Sequence, residues 1–197
     1  VGKLLMKLSS DTVKRLTLEL VGNAPFVVFD DANIDQAVGA LMASKFRNAG
    51  QTCVCADRIL VHSTIHDEFV ERLAACVKEI RVGPGMDAST TMGPLITPEA
   101  VLAVHDKVQE ALGEGALCVV GGAPLRNLGS HFYAPTILTN VSPDSTIWKT
   151  ETFGPVAAIY KFDTEEEALE LANDSDVGLA SYFCTRDLER AFRFARK

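Results

Sequence analysis

Short apolar runs alternate with longer segments of helical periodicity, and this alternation constrains the fold of the chain more than any other feature. Residues 24–29, APFVVF, form an apolar run typical of a buried strand, and Asp30-Asp31 after it predict a helix cap. Apolar side chains then recur at helical spacing from Ile34 to Phe46, and Gly50 ends that helix. Strands that alternate with helices of ten or more residues indicate an α/β domain with a largely parallel sheet.

The same alternation continues to the end of the chain. Residues 97–99, Thr-Pro-Glu, predict a helix start after a loop at 82–97 that is rich in Gly, Pro, Ser and Thr. Residues 16–20, LTLEL, alternate apolar and polar side chains and predict a further strand, before a domain boundary that we place at Gly22. The other predicted elements are strands at 58–62, 116–122, 134–141, 155–162 and 178–185 and helices at 65–80, 97–115, 164–172 and through LERAFRFARK.

Charge and cysteine content exclude several classes of partner. The net charge is −7 and the pI is near 5.1, whereas nucleic-acid binding requires clustered Lys and Arg, so we expect no nucleic-acid partner. No apolar run approaches the ~18 residues that span a bilayer, so we expect no membrane either. The five cysteines are odd in number and scattered, which favours a reducing compartment: the cytoplasm or, in a eukaryote, the mitochondrial matrix.

Two cysteines one residue apart, in RNAGQTCVC at 47–55, raise the question of their chemistry. Cys53 follows a helix and a Gly-Gln-Thr turn, a position that leaves a thiol accessible among backbone N–H donors, as a nucleophile requires. Burial as ordinary packing residues is an equally open interpretation of Cys53 and Cys55. No second Cys or His pair accompanies them, so no metal site is predicted, and a Cys–His catalytic pair would have only His105 or His131 as its distant partner.

Two glutamates occupy positions where a carboxylate can do chemistry. Glu19 ends the predicted strand in LELVGNAP, where it could act as a base or simply lie at a solvated strand edge. Glu151, in KTETFGPV, lies in a loop before a strand, and Gly154-Pro155 fix a turn there. Taken alone, neither sequence pattern decides between a chemical role for the glutamate and a solvated surface charge.

Taken in chain order, Glu19, Cys53 and Glu151 make the sequence resemble the aldehyde dehydrogenase superfamily. The stretches LELVGNAPFVVFDDANIDQAV, KFRNAGQTCVCADR and ETFGPV are similar to that family's glutamate, cysteine and second glutamate signatures, in order and at familiar separations. The resemblance covers essentially the whole chain. It implies a catalytic domain at 22–197 with three layers, in which a mostly parallel sheet carries helices on both faces.

The resemblance also implies a role for each residue. Cys53 is expected to attack an aldehyde carbon, and Glu19 to activate the water that hydrolyses the resulting thioester. Glu151 is expected to hold the ribose hydroxyls of a nicotinamide cofactor, NAD or NADP, with Phe153 beside the nicotinamide ring. The expected partner is therefore a small-molecule aldehyde substrate.

Within the family, SKFRNAGQTCVC most resembles the succinate-semialdehyde dehydrogenase branch. Arg47 matches the arginine that this branch uses toward the distal carboxylate of its substrate, which a guanidinium can hold with two hydrogen bonds. An arginine near a helix C-terminus is also explained by the helix dipole alone. The spacing of Cys53 and Cys55 further predicts a strained, easily reduced disulfide that would mask the nucleophile under oxidation.

Two departures from the family pattern accompany the resemblance. Val21 stands where the family has the first of two glycines, and a β-branched residue is disfavoured at positive φ. Residues 1–21 resemble the tail of a cofactor-binding domain, so we expect most of that domain and a C-terminal oligomerisation segment to lie outside this chain. The full-length protein is expected to be a homo-oligomer. Two classes of function stay open: the catalytic part of an aldehyde dehydrogenase, or a non-catalytic scaffold that retains the fold.

Overall fold

A six-stranded sheet organises the protein, which we describe from a computed structural model covering residues 1–197. The strand order is β3-β4-β5-β2-β1-β6, and every neighbouring pair is parallel except β3 and β4. The strands are β1 (Ala24–Val28), β2 (Ala56–His62), β3 (Leu117–Val120), β4 (Thr136–Thr139), β5 (Val156–Phe162) and β6 (Tyr182–Cys184).

Seven helices connect and flank the strands. Thr97 caps the longest, α4, by accepting a hydrogen bond from the Ala100 N–H, and Pro98 occupies its first turn, as the sequence predicts. The helices are α1 (Gly2–Ser10), α2 (Ile34–Lys45), α3 (His66–Lys78), α4 (Pro98–Gly113), α5 (Thr146–Lys149), α6 (Glu165–Asn173) and α7 (Leu188–Phe194).

Burial along the central strands shows that both faces of the sheet are covered. Side chains of a strand point alternately to opposite faces, yet all residues of β1 and β4 and the first six of β2 are buried. Continuous burial of this kind requires packed helices on both sides. The predicted three-layer α/β architecture with a mostly parallel sheet is confirmed.

One predicted strand is wrong. Residues 16–20 form no strand, and α1 lies before them where no helix was predicted. The alternation in LTLEL is local, whereas a strand needs a ladder partner, and the backbone of 16–20 makes no hydrogen bond with the sheet. We call residues 1–21 the N-terminal strip. Only Gly2 is buried in it, and its large apolar side chains lie exposed: Val1, Leu4, Leu5, Met6, Leu8, Val13, Leu16, Leu20 and Val21.

The predicted helix cap at Asp30-Asp31 is also wrong. Asn33 caps α2 instead, because its side-chain oxygen accepts a hydrogen bond from the Gln36 N–H. The Asp31 carboxylate instead accepts from the Thr185 hydroxyl and from backbone N–H groups just before α7, which lie beside it because β1 and β6 are parallel neighbours. Asn33, two residues after Asp31, is the cap because it directly precedes Ile34, the first residue of α2.

None of the helices is both long and apolar enough to cross a membrane.

Candidate functional site

The segment between α2 and β2 carries Cys53, and we call residues 46–55 the nucleophile loop. It begins with a 3-10 turn at Arg47–Gly50 in which Asn48 and Ala49 have φ of 52° and 55°. Left-handed backbone at residues other than glycine costs on the order of 1–3 kcal/mol each and persists only where the surroundings enforce it. The loop is therefore held in a strained shape immediately before its cysteine.

Side-chain hydrogen bonds hold this strained shape. The Gln51 amide donates to the Asn48 and Pro94 carbonyls at 3.0 and 3.3 Å, and its oxygen accepts from the Ile96 N–H at 2.8 Å. The Asn48 side chain donates back to the Gln51 carbonyl at 3.0 Å. One glutamine thus fastens the loop both to itself and to the segment that precedes α4.

A buried ion pair closes the base of the loop. Lys45 Nζ lies 2.6 Å from Asp57 Oδ1, and the two side chains are 0% and 2% exposed. Lys45 ends α2 and Asp57 lies in β2, so the pair joins the two elements that flank the loop. A buried charge is tolerated only when it is paired, so the two residues depend on each other.

Cys53 lies half-exposed at the end of this loop, and its thiol is free. Its backbone N–H makes no hydrogen bond within the protein, so it is available to hold a developing oxyanion. Cys55 differs: its side chain is buried, and its thiol donates to the Ser44 carbonyl at 3.1 Å and lies 2.9 Å from the Thr52 hydroxyl. The two neighbouring cysteines therefore have distinct surroundings, and only Cys53 faces solvent.

Gly22 joins the three predicted segments. A methyl group added at Gly22 would lie 1.9 Å from the Cys53 carbonyl oxygen, so the two backbones are in direct contact. The Gly22 N–H donates to Glu151 Oε1 at 3.0 Å. A second close contact links the loop to the Glu151 segment, because a methyl group added at Gly50 would lie 2.0 Å from the Gly154 carbonyl oxygen. Glycine is required at both contacts.

Glu19 lies three residues before this junction and is exposed. It lies in no strand, although the sequence predicts that it ends one, and its carboxylate makes no hydrogen bond. Val21 is 38% exposed and is not among the residues with positive φ. The expected conformational conflict at Val21 is therefore wrong: Gly22, the following residue, makes the close approach that demands glycine.

One oxygen of the Glu151 carboxylate has no hydrogen-bond donor within the protein. Burial raises the pKa of Glu151, while the hydrogen bond from the Gly22 N–H opposes that rise. Only Oε1 has a donor within the protein, so Oε2 can accept from a hydroxyl of a ligand such as a ribose. Phe153, two residues later, has φ of 49° and is 42% exposed, so it offers an apolar surface suited to the face of a flat ring. These residues fit a nicotinamide nucleotide.

Arg47 lies at the start of the nucleophile loop and is exposed. Its guanidinium makes no ion pair or hydrogen bond within the protein, so it is free to bind an anionic group. Gly22 contacts both the Cys53 backbone and the Glu151 carboxylate, whereas Arg47 and Glu19 make no hydrogen bond to any of the three.

Three features of the site were missed by the sequence analysis: Gly22 as the junction, the Lys45–Asp57 pair, and Lys107, whose Nζ donates to the Glu151 carbonyl at 2.6 Å. A signal for the pair was present. Asp57 directly precedes the strand predicted at 58–62 and Lys45 lies at the end of an apolar helical pattern, and a charged residue is rarely buried in such positions unless it is paired. Nothing local marks Lys107, because its partner lies 44 residues away.

Comparisons with known proteins agree with the resemblance. The sequence profile of the aldehyde dehydrogenase family matches residues 1–197. Succinate-semialdehyde dehydrogenase 1 of Schizosaccharomyces pombe, named for NADP(+), is 50% identical over 98% of this chain and 39% of its own length. A 3-sulfolactaldehyde dehydrogenase of Pseudomonas putida is 49% identical over 98% of this chain and 40% of its own length.

Solved structures give the same result. The crystal structure of succinate-semialdehyde dehydrogenase from Burkholderia pseudomallei superposes with a TM-score of 0.96 and 50% sequence identity, covering 99% of this chain and 40% of that one. The chain thus spans about two fifths of the length of the relatives that it matches. With a profile match along its whole length and relatives at half identity, the chain belongs to the aldehyde dehydrogenase family.

Proposed function

We propose that this chain carries the nucleophile and the nucleotide-facing glutamate of an enzyme that oxidises succinate semialdehyde to succinate. The observation that carries the proposal is the junction at Gly22, which touches the Cys53 carbonyl and bonds the Glu151 carboxylate at 3.0 Å. Residues from three distant parts of the chain thereby meet beside the Cys53 backbone. A scaffold that only retained the fold would not need an accessible thiol beside an unbonded N–H.

The reaction uses these groups in turn. Cys53, as the thiolate, adds to the aldehyde carbon, and its own unbonded N–H holds the oxyanion of the thiohemiacetal. NAD or NADP, when bound, supplies the acceptor for the hydride that leaves this carbon, and a thioester remains on Cys53. Glu19 then takes a proton from water, the hydroxide adds to the thioester carbonyl, and the Cys53 thiolate leaves as the carboxylic acid forms.

Arg47 is proposed to select the substrate. Its unpaired guanidinium can hold the distal carboxylate of succinate semialdehyde with two hydrogen bonds. The relative named for 3-sulfolactaldehyde makes a second anionic aldehyde the alternative substrate, since a sulfonate also accepts bidentate bonds from arginine. In the full-length protein, Arg47→Met should lower kcat/KM for the preferred anionic aldehyde by about 10–100-fold, since hydrogen bonds to charged groups contribute ~1.5–3 kcal/mol.

Butanal is the matched control for the role of Arg47, because it has the same carbon chain as succinate semialdehyde without the carboxylate. Its kcat/KM should change less than threefold in Arg47→Met, in keeping with a residue that contacts only the charged group. Equal losses for butanal and succinate semialdehyde would show that Arg47 supports the loop rather than the substrate.

Acylation tests the nucleophile and base without a nucleotide. An activated ester should acylate Cys53 before the other four cysteines, as followed by the mass of each cysteine-bearing peptide. Glu19→Gln should leave this acylation in place and slow deacylation by about 10²-fold or more, the usual contribution of a general base. Uniform reaction of all five cysteines would favour the scaffold interpretation.

The remaining assignments belong to the full-length protein. We propose that Glu151 and Phe153 hold the ribose and nicotinamide of NAD or NADP, that residues 1–21 belong to a cofactor-binding domain and 22–197 to the catalytic domain, and that the enzyme is a homo-oligomer in a reducing compartment. Nucleotide titration of the parental protein and Glu151→Gln tests the first of these. Light scattering of the full-length protein tests the oligomeric state.

Cys55 is proposed to form a disulfide with Cys53 under oxidation. The buried Cys55 thiol must first leave the Ser44 carbonyl and the Thr52 hydroxyl, so the bond requires a local opening of the loop. Peptide mapping after peroxide treatment should show a Cys53–Cys55 crosslink that dithiothreitol removes. Sulfenic or sulfinic acid on Cys53 without any crosslink would contradict this role.

A further inference from the structure

One face of α4 is packed against the segment that carries Glu151. Val104 lies directly against Gly154, since a methyl group added there would be 2.5 Å from Val104 Cγ2. Three residues later, Lys107 Nζ donates to the Thr150 hydroxyl at 2.8 Å and to the Glu151 carbonyl at 2.6 Å. Residues three apart share a helix face, so α4 supports this segment at two adjacent points.

The Lys107 ammonium is half-buried at this contact. Burial lowers its pKa, while the carboxylates of Asp57 and Glu151 oppose that shift and the nearby Lys45 adds to it. Lys107 therefore lies near the Lys45–Asp57 pair as well as near Glu151. A partly buried ammonium without acceptors would be costly, so Lys107 and the Glu151 backbone hold each other in place.

Two further direct contacts link the Glu151 segment to the Cys53 backbone. Glu151 Oε1 accepts from the Gly22 N–H, and Gly22 touches the Cys53 carbonyl. The hydrogen bonds by which Gln51 holds the nucleophile loop go to Asn48, Pro94 and Ile96, so none of them depends on Glu151.

We propose that Lys107 is a positioning residue, which fixes the backbone of Glu151 so that its carboxylate faces the nucleotide. The proposal deepens the proposed function and rests on it, because it assigns Lys107 to the glutamate that holds the ribose. It predicts that loss of Lys107 weakens nucleotide binding while the thiol chemistry of Cys53 continues.

The test compares Lys107→Met with Lys149→Met in the full-length protein. Lys149 lies in α5, beside the same segment, but pairs with Asp174 on the surface and bonds neither Thr150 nor Glu151. The nucleotide-free readout is hydrogen exchange of the Gly22 amide. It should become about 10-fold faster in Lys107→Met and stay unchanged in Lys149→Met, because the Glu151 acceptor is no longer fixed.

Nucleotide affinity and acylation are the paired readouts. The Kd for the nucleotide should rise about 10-fold in Lys107→Met, equivalent to ~1.4 kcal/mol, while the acylation rate of Cys53 by an activated ester stays within twofold. Lys107→Arg, which keeps a cation and its donors, should restore most of the affinity.

Several outcomes would overturn the positioning role. One such outcome is Gly22 exchange and nucleotide affinity in Lys107→Met equal to those of the parental protein. Another is a loss of acylation as large as the loss of nucleotide affinity, which would make Lys107 a general support of the fold. Failure of Lys107→Arg to restore affinity would also count against it. If Glu151→Gln binds the nucleotide normally, the proposed role of Glu151 fails, and the difference in Gly22 exchange between Lys107→Met and Lys149→Met still decides whether Lys107 fixes the segment.

Discussion

The nucleophile loop and the N-terminal strip each carry one residue of the proposed reaction, Cys53 and Glu19, and the protein holds them in opposite ways. The loop has a strained backbone, the hydrogen bonds of Gln51 and a buried ion pair at its base. The strip has exposed apolar side chains and no ladder to the sheet. Within residues 1–197, Cys53 is thus held by bonds inside the domain, whereas Glu19 is joined to the domain through the backbone that leads to Gly22.

The contrast separates a part of the proposed site that this chain fixes by itself from a part whose remaining contacts belong, as proposed, to the cofactor-binding domain. For the proposed reaction, Cys53 must present an accessible thiol beside its own N–H, and small displacements of such groups lower the reaction rate strongly. In the proposed reaction, Glu19 acts only after the thioester has formed, on a water molecule. The junction at Gly22 is where the two parts meet, so changes there should affect both.

The largest expected effect is on the fixed part. Lys45→Met leaves Asp57 as an unpaired buried charge and should lower the free energy of unfolding by ~3–5 kcal/mol, as measured by urea denaturation. The double variant Lys45→Met with Asp57→Leu should recover most of that loss, because neither charge remains. Lys7→Met on the exposed strip should stay within ~0.5 kcal/mol of the parental protein.

A result in which Lys45→Met and Lys7→Met are equally stable would break the comparison, since the ion pair at the base of the loop would then contribute nothing.

The next effect concerns the junction. Gly22→Ala places a methyl group against the Cys53 carbonyl and should cost ~1–3 kcal/mol by overpacking. It should also slow deacylation of Cys53 by about 10²-fold, because the base and the thioester are displaced relative to each other. Gly39→Ala is the matched control: no atom lies within 4 Å of the added methyl group in α2, and alanine should stabilise the helix by up to ~1 kcal/mol.

If Gly22→Ala deacylates at the rate of the parental protein, Glu19 reaches the thioester without this contact. The junction would then lose its role in the comparison.

A smaller effect is expected from the hydrogen bonds within the loop. Gln51→Ala removes the bonds to Asn48, Pro94 and Ile96 and should lower stability by ~1–2 kcal/mol, with acylation of Cys53 slowed about 10-fold as the strained turn relaxes. Gln109→Ala on the exposed face of α4 provides the comparison. Unchanged acylation in Gln51→Ala would show that the Lys45–Asp57 pair alone fixes the thiol.

The sequence predicts what depends on local periodicity and misses what depends on distant partners. The strand β1, the helix α2 and the Thr97 cap follow from patterns within a few residues. LTLEL has the same local pattern and forms no strand, because a strand requires a neighbour that the pattern does not reveal.

The site divides in the same way. The position of Cys53 after a helix and a turn was predicted from the local sequence, and its grouping with Glu19 and Glu151 came from the family resemblance. The contact of Gly22 with Glu151 spans 129 residues, so no window of sequence could show it. The Cys53–Gly22 contact and the Lys107 bonds are of the same kind.

The smallest expected effect is at Val21, where the sequence departs from the family pattern. Val21→Gly should cost less than ~1 kcal/mol, from the greater freedom of glycine in the unfolded chain, and deacylation of Cys53 should rise less than twofold. The reason is that Val21 does not have positive φ and its side chain is partly exposed, so the valine imposes no strain for glycine to relieve. Stopped-flow deacylation of Val21→Gly and of the parental full-length protein makes the comparison directly. A large gain would mean that the valine restrains the N-terminal strip during hydrolysis, and the placement of Glu19 would then depend on this side chain as well as on the backbone that leads to Gly22.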